Sequence, residues 1–414
     1  MNHLHLISSL LIVLAASLSV AAAPRLRQFT TADGLSDNHV MGMAEDPEGY
    51  VWISTESGLN RYNGTSFDSF RAGIPGTLSA DELNRIVADP VNNCLWIATQ
   101  RNGLDRLDFD TFKFTHYGEG SGPGDLNNNG VTDIAVDKEG RYVWISMWSG
   151  GLDCLDVKSG KITHYNKKTV AAWPSDNLWT VALSPDGLVF IGHVNEGFTV
   201  FDPNSRKVRH HQAVAGDSAA LPNNTVKAIL PDANETVWVG THGGLALYDV
   251  TSARFVTARH DPADPRSLSS NSIHHLGRDA KNNIWVSTEQ GGVSVLSNPA
   301  SFMSSGGKGE FVNYSPNSRD SLPLSSPMIQ ATLHDRFGNA WIGSYGEGID
   351  LLGHMPEAVG HISQHADSGL SANSVTSVCT AGDTLYVGTD LKGLDVMVEG
   401  KRIAHINAGN SPLQ

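Results

Sequence analysis

The 414-residue chain has little of several features that would define its class. Only three residues are cysteine, and 29 lysine and arginine residues stand against 43 aspartate and glutamate residues, for a formal net charge of −14. So few cysteines exclude a disulfide scaffold, and we expect Cys94, Cys154 and Cys379 to be buried free thiols. The acidic balance argues against nucleic acid and anionic membrane surfaces as partners, because both are bound through lysine and arginine clusters.

Motifs for phosphate binding or nucleophilic catalysis are also missing. The sequence contains no nucleotide-binding glycine loop and no Gly-x-Ser-x-Gly elbow. Asp125 to Gly130 begins like a calcium loop, but Val136 stands where the bidentate glutamate is required. We therefore predict no metal site, no cofactor and no catalytic residue.

Long hydrophobic runs are confined to the N-terminus. Leu6 to Val20 is apolar and is followed by three alanines, which is typical of a secretory signal peptide. We predict a signal peptide over residues 1–22, cleaved after Ala22 because Pro24 disfavours a cut after Ala23. An uncleaved membrane anchor is the alternative. No second segment is long and apolar enough to span a bilayer, so we expect no membrane contact by the mature chain.

A repeat accounts for most of the chain. A short strand pattern opened by an aromatic residue recurs at a period of about 44 to 56 residues, which is typical of propeller blades or solenoid turns. The aromatic residues of the eight copies are Trp52, Trp96, Trp144, Phe190, Trp238, Trp285, Trp341 and Tyr386. Each copy contains four strand patterns with period two, and an Asp-x-x-Gly turn recurs between the first two. The sequence therefore predicts an all-β fold built from four-stranded antiparallel propeller blades.

The number of outer strands bears on how the ring closes. Leu26 to Thr30 and Lys401 to Asn407 both resemble a fourth strand, so nine outer strands accompany eight inner triplets. In a seven-bladed ring, Leu26 to Thr30 completes the seventh blade and an outer strand at 359–364 serves a second propeller. This predicts a first propeller over 24–358 and a truncated second one over 359–414. A single eight-bladed ring is the alternative.

The repeated phrases resemble the two-component regulator propeller repeat. The first copy carries Leu-Ser-x-Asn-x-Val, Asp-x-x-Gly, Trp-Ile-x-Thr and Gly-Leu-x-Arg-Tyr at Leu35, Ser36, Asn38, Val40, Asp46, Gly49, Trp52, Ile53, Thr55, Gly58, Leu59, Arg61 and Tyr62. The resemblance covers about residues 25 to 407. It implies the periplasmic sensor region of a hybrid two-component system that detects glycan-derived oligosaccharides and belongs to a receptor anchored in the inner membrane. The chain has no histidine kinase box, so any kinase activity would lie downstream.

Two loops of each blade are expected to open on the same face. The loop before the inner strand carries an Asn or Asp column, for which we expect a structural role in turns. The loop between the second and third strands varies among repeats, which favours ligand binding on a rigid scaffold. The candidate ligand-binding residues in this loop are Glu56, Arg101, Trp148, His193, Glu196, His242, Glu289, Tyr345 and Glu347. Aromatic rings would stack on a sugar, and the polar groups would bond its hydroxyls.

The expected partner is an oligosaccharide or another small ligand, and the full-length receptor is compatible with a homodimer. Two other functions remain open. A propeller lyase or hydrolase would use His193, Glu196, Tyr345 and Glu347 as acid and base groups. A protein-binding scaffold is the other, because a fold alone does not define a function.

Overall fold

The computed structural model describes residues 25–232, 235–317, 323–353, 364, 369–398 and 401–411. Within these ranges the chain forms 32 strands and two 3-10 helices, Thr31–Asp33 and Pro299–Ser301, so the predicted all-β fold is confirmed. None of these described helices is long and apolar enough to cross a membrane. The predicted signal peptide over 1–22 and the predicted boundary between 358 and 359 lie outside the described residues.

The first fourteen strands are β1 (Arg25–Phe29), β2 (Val40–Glu45), β3 (Val51–Thr55), β4 (Gly58–Tyr62), β5 (Phe67–Phe70), β6 (Leu83–Asp89), β7 (Cys94–Thr99), β8 (Leu104–Asp108), β9 (Phe114–Tyr117), β10 (Val131–Val136), β11 (Tyr142–Met147), β12 (Gly151–Asp156), β13 (Ile162–Tyr165) and β14 (Leu178–Leu183). The next fourteen are β15 (Val189–His193), β16 (Phe198–Asp202), β17 (Lys207–His211), β18 (Val226–Pro231), β19 (Thr236–Thr241), β20 (Gly244–Asp249), β21 (Arg254–Ala258), β22 (Ile273–Arg278), β23 (Ile284–Thr288), β24 (Val293–Leu296), β25 (Phe311–Tyr314), β26 (Ile329–His334), β27 (Ala340–Ser344) and β28 (Ile349–Gly353). The last four are β29 (Val375–Ala381), β30 (Thr384–Thr389), β31 (Gly393–Val398) and β32 (Lys401–Ile406).

Two compact units are present, and Pro24–His354 contains β1–β28. Six of its sheets consist of four consecutive strands each, from β2–β5 to β22–β25, and are numbered blades one to six in chain order; the seventh sheet is blade seven. The seventh sheet joins β26, β27 and β28 to β1, which pairs antiparallel with β28 so that Phe29 lies opposite Ile349. The inner strands β2, β6, β10, β14, β18, β22 and β26 contact each other in turn, and β26 contacts β2. The ring therefore closes with seven blades, and the eight-bladed alternative is wrong.

In the part of the other unit that the structure describes, β29–β32 form one sheet of four consecutive strands. Every residue of β29 is exposed, and no second sheet among the described residues of this unit covers the strand. Cys379 lies on β29 and is an exposed free thiol, so the expectation that it is buried was wrong. Cys94 and Cys154 lie in the ring and are buried as expected, and burial raises the pKa of each thiol to about 12.

The aromatic column explains why neighbouring blades stay together. Within the described ring, the core divides into seven clusters, each made by two adjacent blades. Trp52 is fully buried, and its Nε1 donates a 2.8 Å hydrogen bond to Asp46 Oδ2 in the preceding turn. Trp341 makes the same 2.9 Å bond to Asp335. The turn aspartate therefore satisfies the one polar group that a buried tryptophan carries.

The Asn and Asp column has the structural role that was expected, but with a different partner. The Asn38 side chain accepts a 2.9 Å hydrogen bond from the Thr31 backbone, and Asp81 accepts a 2.7 Å bond from Ala72. Both donors lie in the crossover that arrives from the preceding blade rather than in the residue's own turn. The Asn38 carbonyl also accepts a 3.0 Å bond from Gly348 in the preceding blade. The column therefore fastens one blade to the next.

Candidate functional site

Each inner strand of the ring carries a β-bulge directly after its first residue. In β2, Val40 pairs with Thr55 and Gly42 pairs with Ser54, which leaves Met41 outside the ladder. Five other inner strands show the same register shift, and in β6 the shift leaves both Asn84 and Arg85 between the paired residues Leu83 and Ile86. A bulge frees one residue from pairing and redirects its side chain. The residues freed at this second position are Met41, Asn84, Thr132, Trp179, Lys227, His274 and Gln330.

Six of these seven bulged residues line one cavity of about 430 Å³; Lys227 is the exception. The cavity lies at the centre of the ring, because its lining comes from six of the seven inner strands. Arg85, Gln100, Gly130 and Trp148 complete the lining. We call this space the central cavity. Its volume lies within the range of about 300 to 1,000 Å³ that is usual for small-molecule sites.

Two tryptophans from adjacent blades form an aromatic pair at the central cavity. Trp148 lies in the loop between β11 and β12 and is 48% exposed. Its ring meets that of Trp179 edge to face, with centroids 6.0 Å apart. The Trp148 backbone is held by a 2.8 Å hydrogen bond to the Gly130 carbonyl. An exposed indole in a fixed position offers an apolar face on which a ring-shaped ligand can stack.

A charged network adjoins this pair. The Lys227 ammonium lies 4.8 Å from the centre of the Trp179 ring and 2.7 Å from Glu289 Oε1. Ser272 Oγ donates a 2.6 Å hydrogen bond to Glu289 Oε2. The contact with His274, together with those of Lys227 and Ser272, lowers the pKa of Glu289 well below its usual value, although partial burial opposes this. Glu289 is therefore held ionised and in a fixed orientation.

Two histidines flank the same carboxylate. Nε2 of His274 lies 3.2 Å from Glu289 Oε1, and Nε2 of His242 lies 3.6 Å from it. Burial lowers the pKa of both imidazoles, so they are neutral at pH 7 and can each donate or accept a hydrogen bond. Within the described residues, no group of three or more histidine, cysteine, aspartate or glutamate side chains is placed to hold a metal ion.

Three of the nine candidates from the sequence therefore meet around the central cavity: Trp148 lines it, and His242 and Glu289 adjoin it. Glu56 and Tyr345 gather instead around His39, where blades seven and one meet. The His39 and Tyr345 rings are 4.5 Å apart, and Glu56 Oε2 lies 4.0 Å from His39 Nδ1.

The remaining four candidates are not brought together. Arg101, Glu196 and Glu347 are exposed, and Arg101 Nε lies 3.9 Å from a carboxylate oxygen of Glu82. His193 is fully buried, because β15 continues through it rather than ending before it. Its Nε2 lies 2.8 Å from Thr199 Oγ1, and burial lowers its pKa to about 3. His193 therefore offers no surface to a ligand, contrary to its selection as a loop residue.

Sequence reasoning missed the residues that the bulges supply, among them Asn84, Trp179, Lys227 and His274. The inner strands were interpreted as apolar core. The missed signal is a column directly after the Val, Ile or Leu that opens each inner strand, where the residue type ranges from methionine to lysine. Variation directly after a residue that is apolar in every copy indicates side chains that leave the core.

A larger cleft of about 780 Å³ lies between blades three and four. Its lining comes from those two blades and includes turn residues such as Asp137 and Asp186 over Trp144 and Tyr165. These turns join the first and second strands of their blades, so the cleft opens on the face opposite the variable loops. The central cavity is the better candidate site, because independently varying residues of six blades converge there.

A closed ring of seven four-stranded antiparallel blades defines the chain's larger unit as a seven-bladed β-propeller. A family model of the two component regulator propeller matches residues 34–57, 220–243 and 267–290. Repeats of this family are therefore present in the ring, which confirms the resemblance noted from the sequence. None of the curated protein sequences compared with the chain matches it.

Solved structures agree with this assignment. The chain is similar to the extracellular domain assigned to the hybrid two component system BT3049 of B. thetaiotaomicron, with 32% identity, a TM-score of 0.68, and coverage of 93% of this chain and 49% of that one. The extracellular domain assigned to BT4673 of the same organism shares the fold, at 19% identity and a TM-score of 0.63, with coverage of 92% and 47%. The chain thus spans about half the length of these solved domains.

Proposed function

We propose that this chain is the ligand-sensing, periplasmic part of a hybrid two-component system and that it binds a glycan-derived oligosaccharide in the central cavity. The observation that carries the proposal is the convergence of bulged side chains from six blades on one cavity beside the exposed Trp148. The family assignment and the likeness to the extracellular domain of BT3049 support a sensor.

The chemistry of the cavity suits a saccharide. Trp148 and Trp179 offer indole rings for stacking on the apolar face of a sugar. Asn84, Gln100 and Gln330 supply amides that both donate and accept hydrogen bonds, as sugar hydroxyls do. A few polar groups around an aromatic platform are the usual composition of a small-molecule site.

The proposal assigns no catalysis to the chain. The residues suggested for a lyase or hydrolase belong to two different blades. His193 is the last residue of β15 and Glu196 precedes β16, whereas Tyr345 and Glu347 lie between β27 and β28. His193 is also buried, with its Nε2 contacting Thr199. We place kinase activity, the anchor in the inner membrane and any receptor homodimer in a longer protein that would contain this chain. Export would depend on residues 1–22.

A thermal-shift screen of the chain purified from the periplasm, against defined oligosaccharides and with chromatography of the products, tests the proposal. We expect at least one oligosaccharide to raise the melting temperature and to be recovered intact. The Trp148→Ala variant should lose that shift, whereas Phe337→Ala, at an exposed turn residue of blade seven, should keep it. Cleavage of the sugar would show that the chain is an enzyme and would contradict the sensor proposal. If the ligand still raises the melting temperature of Trp148→Ala, the binding site does not include Trp148 and lies elsewhere in the chain.

A further inference from the structure

Among the described residues that line the central cavity, Arg85 is the one whose side chain carries a formal charge at neutral pH. The rest of the lining is aromatic, amide, hydroxyl, thioether or glycine, together with the imidazole of His274. No described residue of this lining carries a carboxylate that opposes the Arg85 cation.

Asp133 balances the Arg85 charge only in part. Its Oδ1 lies 3.3 Å from Arg85 Nε, and its Oδ2 already accepts bonds of 2.6 Å from Thr180 Oγ1 and 3.2 Å from the Val181 backbone. The Ile134 backbone donates a 2.9 Å bond to Oδ1. The carboxylate is therefore occupied by other donors and meets one edge of the guanidinium.

The two terminal nitrogens of Arg85 remain available. Among the residues that the structure describes, none accepts a hydrogen bond from Arg85 Nη1 or Nη2, and the side chain keeps 22% of its surface exposed. The other carboxylate near the cavity, Glu289, is already paired with Lys227 at 2.7 Å. A planar guanidinium with two free donors binds a carboxylate or sulfate through two parallel hydrogen bonds.

We propose that the saccharide bound in the central cavity is acidic and that its carboxylate or sulfate group is held by the terminal nitrogens of Arg85 while a sugar ring stacks on Trp148 and Trp179. This inference rests on the proposed function and adds the substrate class. Arg85 reaches the cavity because it lies beside the β6 bulge, between the paired residues Leu83 and Ile86. A neutral oligosaccharide would offer the terminal nitrogens hydroxyl oxygens as acceptors but no negative charge to balance the guanidinium.

Calorimetric titration of paired saccharides tests this inference. The probes are oligogalacturonides with their carboxyl-reduced counterparts, and chondroitin sulfate oligosaccharides with their desulfated counterparts, so that a carboxylate and a sulfate are distinguished. We expect one acidic member to bind and its neutralised counterpart to bind at least tenfold more weakly. Arg85→Gln should weaken the acidic ligand by about tenfold to a hundredfold, the usual value of hydrogen bonds to a charged group.

Three further variants serve as controls. Arg254→Gln removes an exposed arginine on the outer strand β21 and should leave binding unchanged. Arg85→Lys keeps the charge without the two-pronged geometry, and we expect intermediate affinity. Asp133→Asn removes the carboxylate that faces Arg85 and should retain or strengthen binding of the acidic ligand. This variant gives a readout even if Arg85→Gln fails to fold.

The outcomes separate this inference from the function on which it rests. Equal binding of an acidic saccharide and its neutral counterpart, lost in Trp148→Ala but kept in Arg85→Gln, would overturn the inference and leave the sensor intact. Binding of neutral saccharides alone would do the same. Failure of every saccharide to bind in a Trp148-dependent manner would remove the proposed function and the inference with it.

Discussion

Phe29, in the first strand of the chain, stacks on Trp341 in the last blade of the ring, with centroids 5.9 Å apart and planes 8° apart. Phe29 also lies 5.1 Å from the Tyr62 ring of blade one, so a single side chain bridges both sides of the closure. Two residues 312 positions apart in sequence (341 − 29) thus hold the ring together. The closure depends on packing as well as on the β1–β28 ladder.

Replacing Phe29 with alanine should weaken the packing that closes the ring. The side chain is fully buried, so the change should lower the free energy of unfolding by about 3 to 5 kcal/mol. The matched control is Phe337→Ala, because Phe337 is 67% exposed in a turn of the same blade. Urea denaturation measures the free energy of unfolding of both variants. Equal stabilities of the two variants would show that the ring does not depend on Phe29.

Gly348→Ala should disturb the same closure through the backbone. Gly348 has φ +78°, and an added Cβ would lie 2.1 Å from the Phe29 carbonyl oxygen. Gly216 has nearly the same φ, +81°, but an added Cβ there meets nothing within 4 Å. Gly216→Ala should therefore cost only the left-handed strain of about 1 to 2 kcal/mol, and Gly348→Ala should cost about 1 to 3 kcal/mol more. Thermal unfolding compares them, and equal losses would contradict the role of the close approach.

Trp179→Ala tests the part of the site that the bulges create. Loss of the indole removes the partner of Trp148 and the ring over which the Lys227 ammonium lies. We expect ligand affinity to fall about tenfold, since an aromatic contact of this kind contributes about 1 kcal/mol beyond its buried area. Val181→Ala, on the same strand but buried between blades, should lower stability and leave affinity unchanged. Calorimetric titration with the saccharide found by the screen measures both affinities. Unaltered affinity in Trp179→Ala would show that the aromatic pair does not contribute to binding.

The blades were predictable from the sequence, whereas the centre of the site was not. A tryptophan at the head of the second strand and a turn aspartate six residues earlier identify a blade by themselves, as Trp52 and Asp46 do, because they bond each other. The closing strand was also predictable, since Leu26 to Thr30 matched an outer strand that no blade preceded. These features depend on local spacing and hydrophobic pattern, which a sequence displays directly.

The bulged residues could not be placed in the same way. In a regular strand, side chains point alternately to the two faces of the sheet. A bulge inserts one residue, so every side chain on one side of it points to the face opposite the one that the sequence pattern predicts. Lys227 thus lies at the centre of the ring although it follows a strand-opening valine. His193 shows the converse error, because β15 extends one residue beyond the expected loop and buries it. A difference of one residue in a strand's end or register therefore decides whether a side chain is buried or faces the central cavity.

Thiol accessibility checks the exposure of the second unit. Cys379 is exposed on β29, whereas Cys94 and Cys154 are buried in the ring. Burial also raises the pKa of the two ring thiols to about 12, so little thiolate is available there. Ellman's reagent should therefore titrate one thiol of three in the native chain and all three in urea. The Cys379→Ser variant should give none in the native chain, and a full equivalent from that variant would contradict the burial of the other two.

Buried neutral histidine should make the ring less stable in acid. Burial lowers the pKa of His193 to about 3, against 6.5 for the unfolded chain, so between these values the unfolded state binds more protons. Stability due to this group is complete above pH 6.5 and falls by about 2 kcal/mol between pH 7 and pH 5. Asp153 titrates in this range with the opposite sign, because burial raises its pKa to about 6.

Comparison of His193→Gln with the parent chain isolates the histidine from such opposing groups. The variant should lose less stability than the parent between pH 7 and pH 5, whatever its stability at pH 7. Thr199→Val removes the hydroxyl that lies 2.8 Å from His193 Nε2 but leaves the imidazole buried, so it should keep the parent's pH dependence. Urea denaturation at each pH supplies the free energies. Parallel curves for His193→Gln and the parent would mean that His193 is protonated to the same extent in the folded and unfolded states.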